Sequence, residues 1–295
     1  MLYGCEQELG SERLADYERD AARAREIGWM ARPAARTTRR AAYVGAAVRT
    51  ALAAITRCRW DEVERAIERL ERAELRPAAQ IAIRAVCAQA RGQCDIAREL
   101  CGRLREAPIA RSADPHVWAS GIVAAALHGY LTGEVDDSAQ PVALVREVCE
   151  RGRRIHRETM ELVCLSLALL ARGGASPVLA SFLLGHLSDA LAGVEERPAS
   201  QTAEVAAGLC ILALGDDRTG SRILVRAAEN HAVGRLPLVA GVVGAEMARL
   251  ELEQGNRQAA SHWIERSRRF ADRYESELPL AIISAVDRRL SAVAR

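Results

Sequence analysis

The chain has 295 residues, 49% apolar and 27% charged, a balance that excludes intrinsic disorder as its general state. Its 41 basic residues are all arginine and stand against 39 acidic ones, so a formal net charge of +2 gives non-specific nucleic-acid binding little electrostatic drive. The apolar fraction is mostly Ala and Leu with only two Phe, a mixture that favours helices, because a sheet protein would draw on aromatic and β-branched residues.

A helix is expected over about 12–27, followed by a join containing Pro and Arg that reaches 38; residues 1–38 form an atypical N-terminal cap. Helix pairs are then expected at 39–57 with 61–75, 78–91 with 95–106, and 116–131 with 140–153. Further pairs follow at 156–172 with 177–192, 201–214 with 219–232, and 237–254 with 257–273. A last helix over 277–295 has no partner after it and is expected to cap the stack.

The pairing rests on a recurring turn. Arg91-Gly92-Gln93-Cys94-Asp95 ends one helix and starts another, whose apolar positions are Ile96, Ala97, Leu100, Cys101 and Leu104. Cys58-Arg59-Trp60-Asp61 does the same before Val63, Ala66, Ile67 and Leu70, with Asp61 and Glu64 spaced as a capping box. Later turns fall at Gly133, Gly174, Gly215 and Gly255, where a helix end favours a residue able to adopt positive φ. Asp114-Pro115 and Ser176-Pro177 have the form of an N-cap with first-turn proline.

The 34-residue interval from Cys58 to Gly92, the small Ala97 five positions after Gly92, and Trp60 in its turn together resemble tetratricopeptide repeats. The later intervals of 40–41 residues, and segments such as Ala248-Arg249-Leu250-Glu251-Leu252-Glu253-Gln254-Gly255, resemble the sensory repeat arm of maltose-regulator and LuxR-related bacterial transcription activators. Gly220 departs from the pattern, standing where the second helix of a pair should carry Ala. A HEAT-like stack has a similar period. The resemblance implies an all-α, right-handed α-α superhelix of about seven antiparallel pairs, one solenoid over 1–295. It also implies the work of a regulatory arm. The ATPase and helix-turn-helix modules of those activators are not evident: without Lys there is no GxxxxGK[ST], and no basic recognition helix stands out.

A solenoid of this kind turns a concave face inward, lined by the first helix of each pair. On that arrangement the candidate ligand or partner residues are His116, Trp118, Ser120, His156, Arg157, Glu161, Glu204 and Glu246. Further polar residues to be weighed with them are His128 on the helix 116–131, Arg235 just before the helix 237–254, and Asp287 on the terminal helix. Trp118 is the best candidate for an aromatic anchor. Arg-rich patches occur at Arg151, Arg153, Arg154 and Arg157, and at Arg266, Arg268, Arg269 and Arg273, near helix ends where Arg complements the dipole.

Catalysis and metal binding draw little support. Eight cysteines (Cys5, Cys58, Cys87, Cys94, Cys101, Cys149, Cys164 and Cys210) form no CxxC pair and sit mostly in apolar helices as small hydrophobic residues. Asp136-Asp137 and Asp216-Asp217 adjoin turns, where Asp caps helices. No HExxH or local nucleophile motif is present, no catalytic residue and no cofactor are expected, and no apolar run reaches the length of a membrane span. The expected function is therefore a non-catalytic, cytoplasmic binding or sensor module for a peptide, a protein partner or a small effector, with no direct nucleic-acid contact. Two other readings fit the same residues: an enzyme or substrate-binding accessory with a pocket between helix pairs, and a structural assembly scaffold.

Overall fold

The computed structural model describes residues 42–72, 77–106, 114–133, 147, 150, 155–174, 176–192, 201–230 and 236–293. By compactness the chain divides into Met1–Tyr43 and Val44–Arg295. The first unit is almost wholly outside the described residues, with the expected helix at 12–27 and Cys5. So are most of the expected helix at 140–153 and Asp136, Asp137, Cys149, Arg151, Arg153, Arg154 and Arg235.

The described secondary structure of Val44–Arg295 is helical. In chain order the helices are α1 (42–56), α2 (Trp60–Arg72), α3 (Pro77–Ala90), α4 (Cys94–Glu106) and α5 (Pro115–Thr132). Then come α6 (Arg157–Arg172), α7 (Pro177–Ala192), α8 (Gln201–Ala213), α9 (Asp217–Glu229), α10 (Pro237–Glu253), α11 (Arg257–Tyr274) and α12 (Leu278–Val293). The two helices of a hairpin pack on each other, and α3, α5, α6 and α8 also pack in succession.

Each expected turn is a left-handed one. Cys58 has φ 51°, and Gly92, Gly133, Gly174, Gly215 and Gly255 have φ 72°, 75°, 95°, 89° and 78°. At Gly92 the amide donates to the Gln89 carbonyl at 3.0 Å, and the next amide, of Gln93, donates to Ala88 at 2.8 Å. The same pair of bonds recurs at Cys58, Gly215 and Gly255. This is the Schellman closure, which satisfies carbonyls a helix end would otherwise leave open. Gly133 closes by the simpler single bond, to Gly129 at 2.9 Å. The starts are capped as well: Asp114 Oδ1 accepts from the His116 amide at 2.8 Å, Ser176 Oγ from Val178 at 3.2 Å, and Asp216 Oδ1 from Thr219 at 3.0 Å.

Three local expectations need correction. Helix α2 begins at Trp60, so Asp61 lies inside the first turn and complements the dipole instead of capping. Ile96 is 52% exposed, because the buried stripe of α4 is centred on Ala97 and Cys101, and Ile96 lies a quarter turn away. Gly220 is a packing requirement: a Cβ there would lie 2.6 Å from Leu212 Cγ, so α9 crosses α8 at a distance that excludes Ala.

Within Val44–Arg295 the last helices contact the hairpins of α2 and α3. Helix α12 packs on α10 and α11 and also reaches α5. The Trp60 indole N–H donates to the Tyr274 carbonyl at 2.8 Å, and Ser276 Oγ donates to the Ala90 carbonyl at 2.7 Å. Both acceptors belong to last turns, of α11 and α3, so each helix end receives from a side chain distant in sequence a donor that its own backbone lacks.

Candidate functional site

Beside this junction lies a cavity of about 550 Å³, walled by the ends of α3 and α5, the start of α4 and one face of α12. Gln89, Cys94, Arg98, His128, Thr132 and Glu277 supply most of its polar surface, and Ala97, Leu131, Leu280, Ala281 and Ala285 its apolar surface. The local sequence explains the space. Gly92, in the left-handed turn, lets the α12 start come so near that a Cβ on Gly92 would lie 2.4 Å from the Glu277 Cβ. Beyond that contact, α12 turns Ala281, Ser284 and Ala285 toward α4 and α5, and such small side chains leave room.

Gln89 forms part of the wall and is 1% exposed. Its Nε2 donates to the Ala124 carbonyl at 2.9 Å and lies 3.6 Å from Cys101 Sγ, while its Oε1 has no hydrogen-bond partner among the described residues. Arg98 pairs with Asp95 at 2.9 Å, an exposed pair that contributes little to stability. Cys94 has an exposed thiol, whereas burial pushes the thiols of Cys87 and Cys101 up to about 11 and those of Cys58 and Cys210 up to about 12. These four are therefore protonated near neutrality and poor nucleophiles.

A second polar group joins α5, α6 and α10. Glu246 is fully buried and accepts a hydrogen bond from Tyr130 Oη, with Arg172 at 3.6 Å and Arg249 at 3.8 Å. Arg249 Nε donates to Glu253 at 2.9 Å and its Nη2 to the Arg172 carbonyl at 3.2 Å, while Arg172 also pairs with Glu253. Two guanidinium groups thus face two carboxylates and the charges balance. Burial opposes ionisation of Glu253, but Arg249 and Arg172 outweigh it and hold the carboxyl below its usual range. Burial also opposes the Arg249 cation, and Glu246 chiefly reverses that. For Tyr130, burial and the Glu246 charge both raise the phenol well above its ordinary value. This group fastens three helices and has the chemistry of a structural clamp.

The structure distributes the residues anticipated from sequence. Trp118 and Ser120 are buried, the latter donating to the Val117 carbonyl at 2.7 Å, and Glu246 belongs to the clamp. His116 stands near the start of α5 and His156 just before α6, within electrostatic range of each other. Burial lowers His116, Asp114 partly opposes this, and Arg49 and His156 add to it. Arg157 pairs with Glu161 at 2.8 Å and Glu204 with Arg226 at 3.4 Å, the carboxylate being the less exposed partner of each pair. The side chain of Asp287 lies outside the described residues. Of the sequence candidates among the described residues, only His128 meets the cavity. Gln89, Arg98 and Glu277 escaped sequence reasoning, although Gln89 is an uncharged polar residue within the apolar run Ala85–Ala90, one turn before a helix-ending Gly.

Among the described residues no group of three or more His, Cys, Asp or Glu is placed to hold a metal ion, and no helix is long and apolar enough to cross a membrane. Comparison with protein-family models, with curated proteins and with solved structures returns no match.

Proposed function

We propose that the chain is a non-catalytic sensor module that takes a small effector into the cavity between α3–α5 and α12. The observation that carries this reading is the cavity's construction from helices far apart in sequence. Its volume of about 550 Å³ lies within the range of small-molecule sites, roughly 300–1,000 Å³, and apolar surface there accompanies a few placed polar groups. A ligand touching both walls binds better when α12 is docked, and so shifts the population toward that state. At a concentration of about 100 Kd it would add roughly 2.7 kcal/mol to the stability of the docked form. We further infer that the helix pairs form a tetratricopeptide-like right-handed superhelix, and that the chain serves as the regulatory arm of a bacterial transcription regulator. The recurrent left-handed turns support the first inference, and the 40–41-residue spacing supports the second.

The test is a thermal-shift screen of metabolite and peptide libraries, with hits located by alkylation of Cys94, whose exposed thiol lines the cavity. An effector should slow alkylation of Cys94 and protect amides in residues 277–285 from hydrogen exchange. Hits that all leave Cys94 and 277–285 unchanged, or a partner protein that binds elsewhere with no small-molecule hit, would sink the cavity reading.

A further inference from the structure

The helices that close a hairpin after a left-handed turn are α2, α4, α7, α9 and α11. Four of them turn a charged face to solvent. Each exposed position of α2 is Asp, Glu or Arg, and the exposed faces of α4, α9 and α11 are rich in the same residue types. Helix α7 departs from this. Its stretch Pro177–Ser188 holds no Asp, Glu or Arg, and the first charged residue after it is Asp189. Through Leu187 its exposed positions are Pro177, Val178, Ser181, Phe182 and Gly185. Val178 is 51% exposed and Phe182 48%, and Leu214, after the end of α8, which packs on α7, is exposed as well.

Val178, Phe182 and Gly185 follow one another at helical spacing and share one stripe. Gly185 has no use inside the chain. A Cβ there meets nothing within 4 Å, whereas at Gly220 or Gly241 it would strike a neighbour. Gly inside a helix is destabilising relative to Ala, and a bare position on an open face makes sense where another backbone approaches closely. None of these residues lines the cavity, so this face is separate from the effector site proposed above.

We propose that α7 is a self-association face: α7 of a second copy packs antiparallel across it, about a two-fold axis between Phe182 and Gly185. Such an axis brings each residue of a pair to the other's counterpart, so both contacts are made at once. Each Phe182 enters the notch left by Gly185 of the second copy, as ridges enter grooves between helices. Charge selects the occupant. Set against a surface like those of α2, α4, α9 or α11, α7 would strip water from Arg, Asp and Glu without pairing them. Among these five helices, the face that α7 covers without that cost is α7 itself. One helix face per copy is a small interface, below the roughly 1,200 Å² of stable complexes, so the dimer is weak and forms at high concentration.

Sedimentation equilibrium of the full chain, from low micromolar to near-millimolar concentration, tests this. The parent should pass reversibly from monomer to dimer. Phe182→Glu sets a carboxylate at the axis and Gly185→Gln fills the notch, and each should raise the dissociation constant at least about tenfold. Gly185→Gln has open space for its side chain and a better helix former in place of Gly. It should therefore melt no lower than the parent at a concentration where both are monomers. Ile96→Glu, on the charged face of α4, alters an equally exposed apolar side chain and should leave association unchanged. A parent that stays monomeric at every concentration would overturn the proposal. So would a dimer that survives Gly185→Gln undiminished, a result that counts even if Phe182→Glu fails to fold. A monomer that sediments with phosphatidylcholine vesicles, and no longer does so as Phe182→Glu, would give the face to a lipid surface and overturn the second copy as its occupant.

Discussion

The hydroxyl of Ser276 donates to the carbonyl of Ala90 at 2.7 Å across 186 positions of sequence. Ser276 is fully buried, and Ala90 ends α3, where the helix itself provides no donor. With the Trp60–Tyr274 bond, this contact ties the start of α12 to the first described hairpins. Ser276→Ala should therefore cost about 1–3 kcal/mol, the penalty of a buried acceptor left without its partner. Urea melts would measure it, and hydrogen exchange should show faster opening at 277–285 than in α8. Uniform loss of protection throughout the chain would mean that the bond supports the whole fold and not this junction.

Gly220 illustrates where sequence pattern and packing part company. The repeat pattern asks for Ala, yet Leu212 Cδ2 lies 2.6 Å from where its Cβ would stand and the Gly208 carbonyl oxygen 3.0 Å. Gly220→Ala gains up to about 1 kcal/mol in helix propensity and loses roughly 1–3 kcal/mol by overpacking. The variant should be less stable by about 1–2 kcal/mol. Leu212→Ala should cost less in the Gly220→Ala background than in the parent, because there it removes the clash as well as opening a void. A Gly220→Ala protein as stable as the parent would show that α8 and α9 can separate freely.

Turns and helix faces were legible in the sequence because they are set locally. Positive φ at Gly92, Gly133, Gly174, Gly215 and Gly255 follows from the need to close a helix, and a Gly after an apolar stripe announces it. What the concave face would present was not legible. Trp118, Ser120 and Glu246 were placed by analogy on an open surface, whereas packing among α5, α6, α10 and α12 decides their exposure. That packing joins positions such as Tyr130 and Glu246, 116 residues apart, and periodicity contains no information about it. Gln89 was overlooked for the same reason: its place beside the cavity depends on residues of α12, far from it in sequence.

The clamp on α10 tests the cost of breaking a buried charge set. Glu246→Gln keeps the shape and removes one carboxylate, leaving Arg249 and Arg172 to share Glu253. The expected loss is about 3–5 kcal/mol, as for a buried ion left partly uncompensated. Glu246→Gln and Arg249→Met combined in one chain should cost less than the two substitutions measured separately and added. A double-mutant cycle from denaturant melts measures that difference. Additive losses would mean that the two side chains stabilise the fold independently.

Acid should act first through His116. Burial is the main cause of its lowered value, with Arg49 and His156 contributing and Asp114 opposing; its Nδ1 is buried and has no hydrogen-bond partner among the described residues. The unfolded chain takes up a proton near the ordinary value of 6.5, before the folded chain does. Within that window the unfolded state binds more protons, so stability rises with pH. The contribution is complete above 6.5 and is lost as pH falls from there toward the folded value. Glu253, lowered from 4.5, behaves alike in a more acidic window: its contribution is present above 4.5 and is lost as pH falls through its folded value. Denaturant midpoints collected from pH 8 to pH 3 should therefore fall in two stages. His116→Gln should flatten the first stage and leave the second, whereas Glu253→Gln should do the reverse. A first stage that persists unchanged in His116→Gln would assign the neutral-range sensitivity to another group.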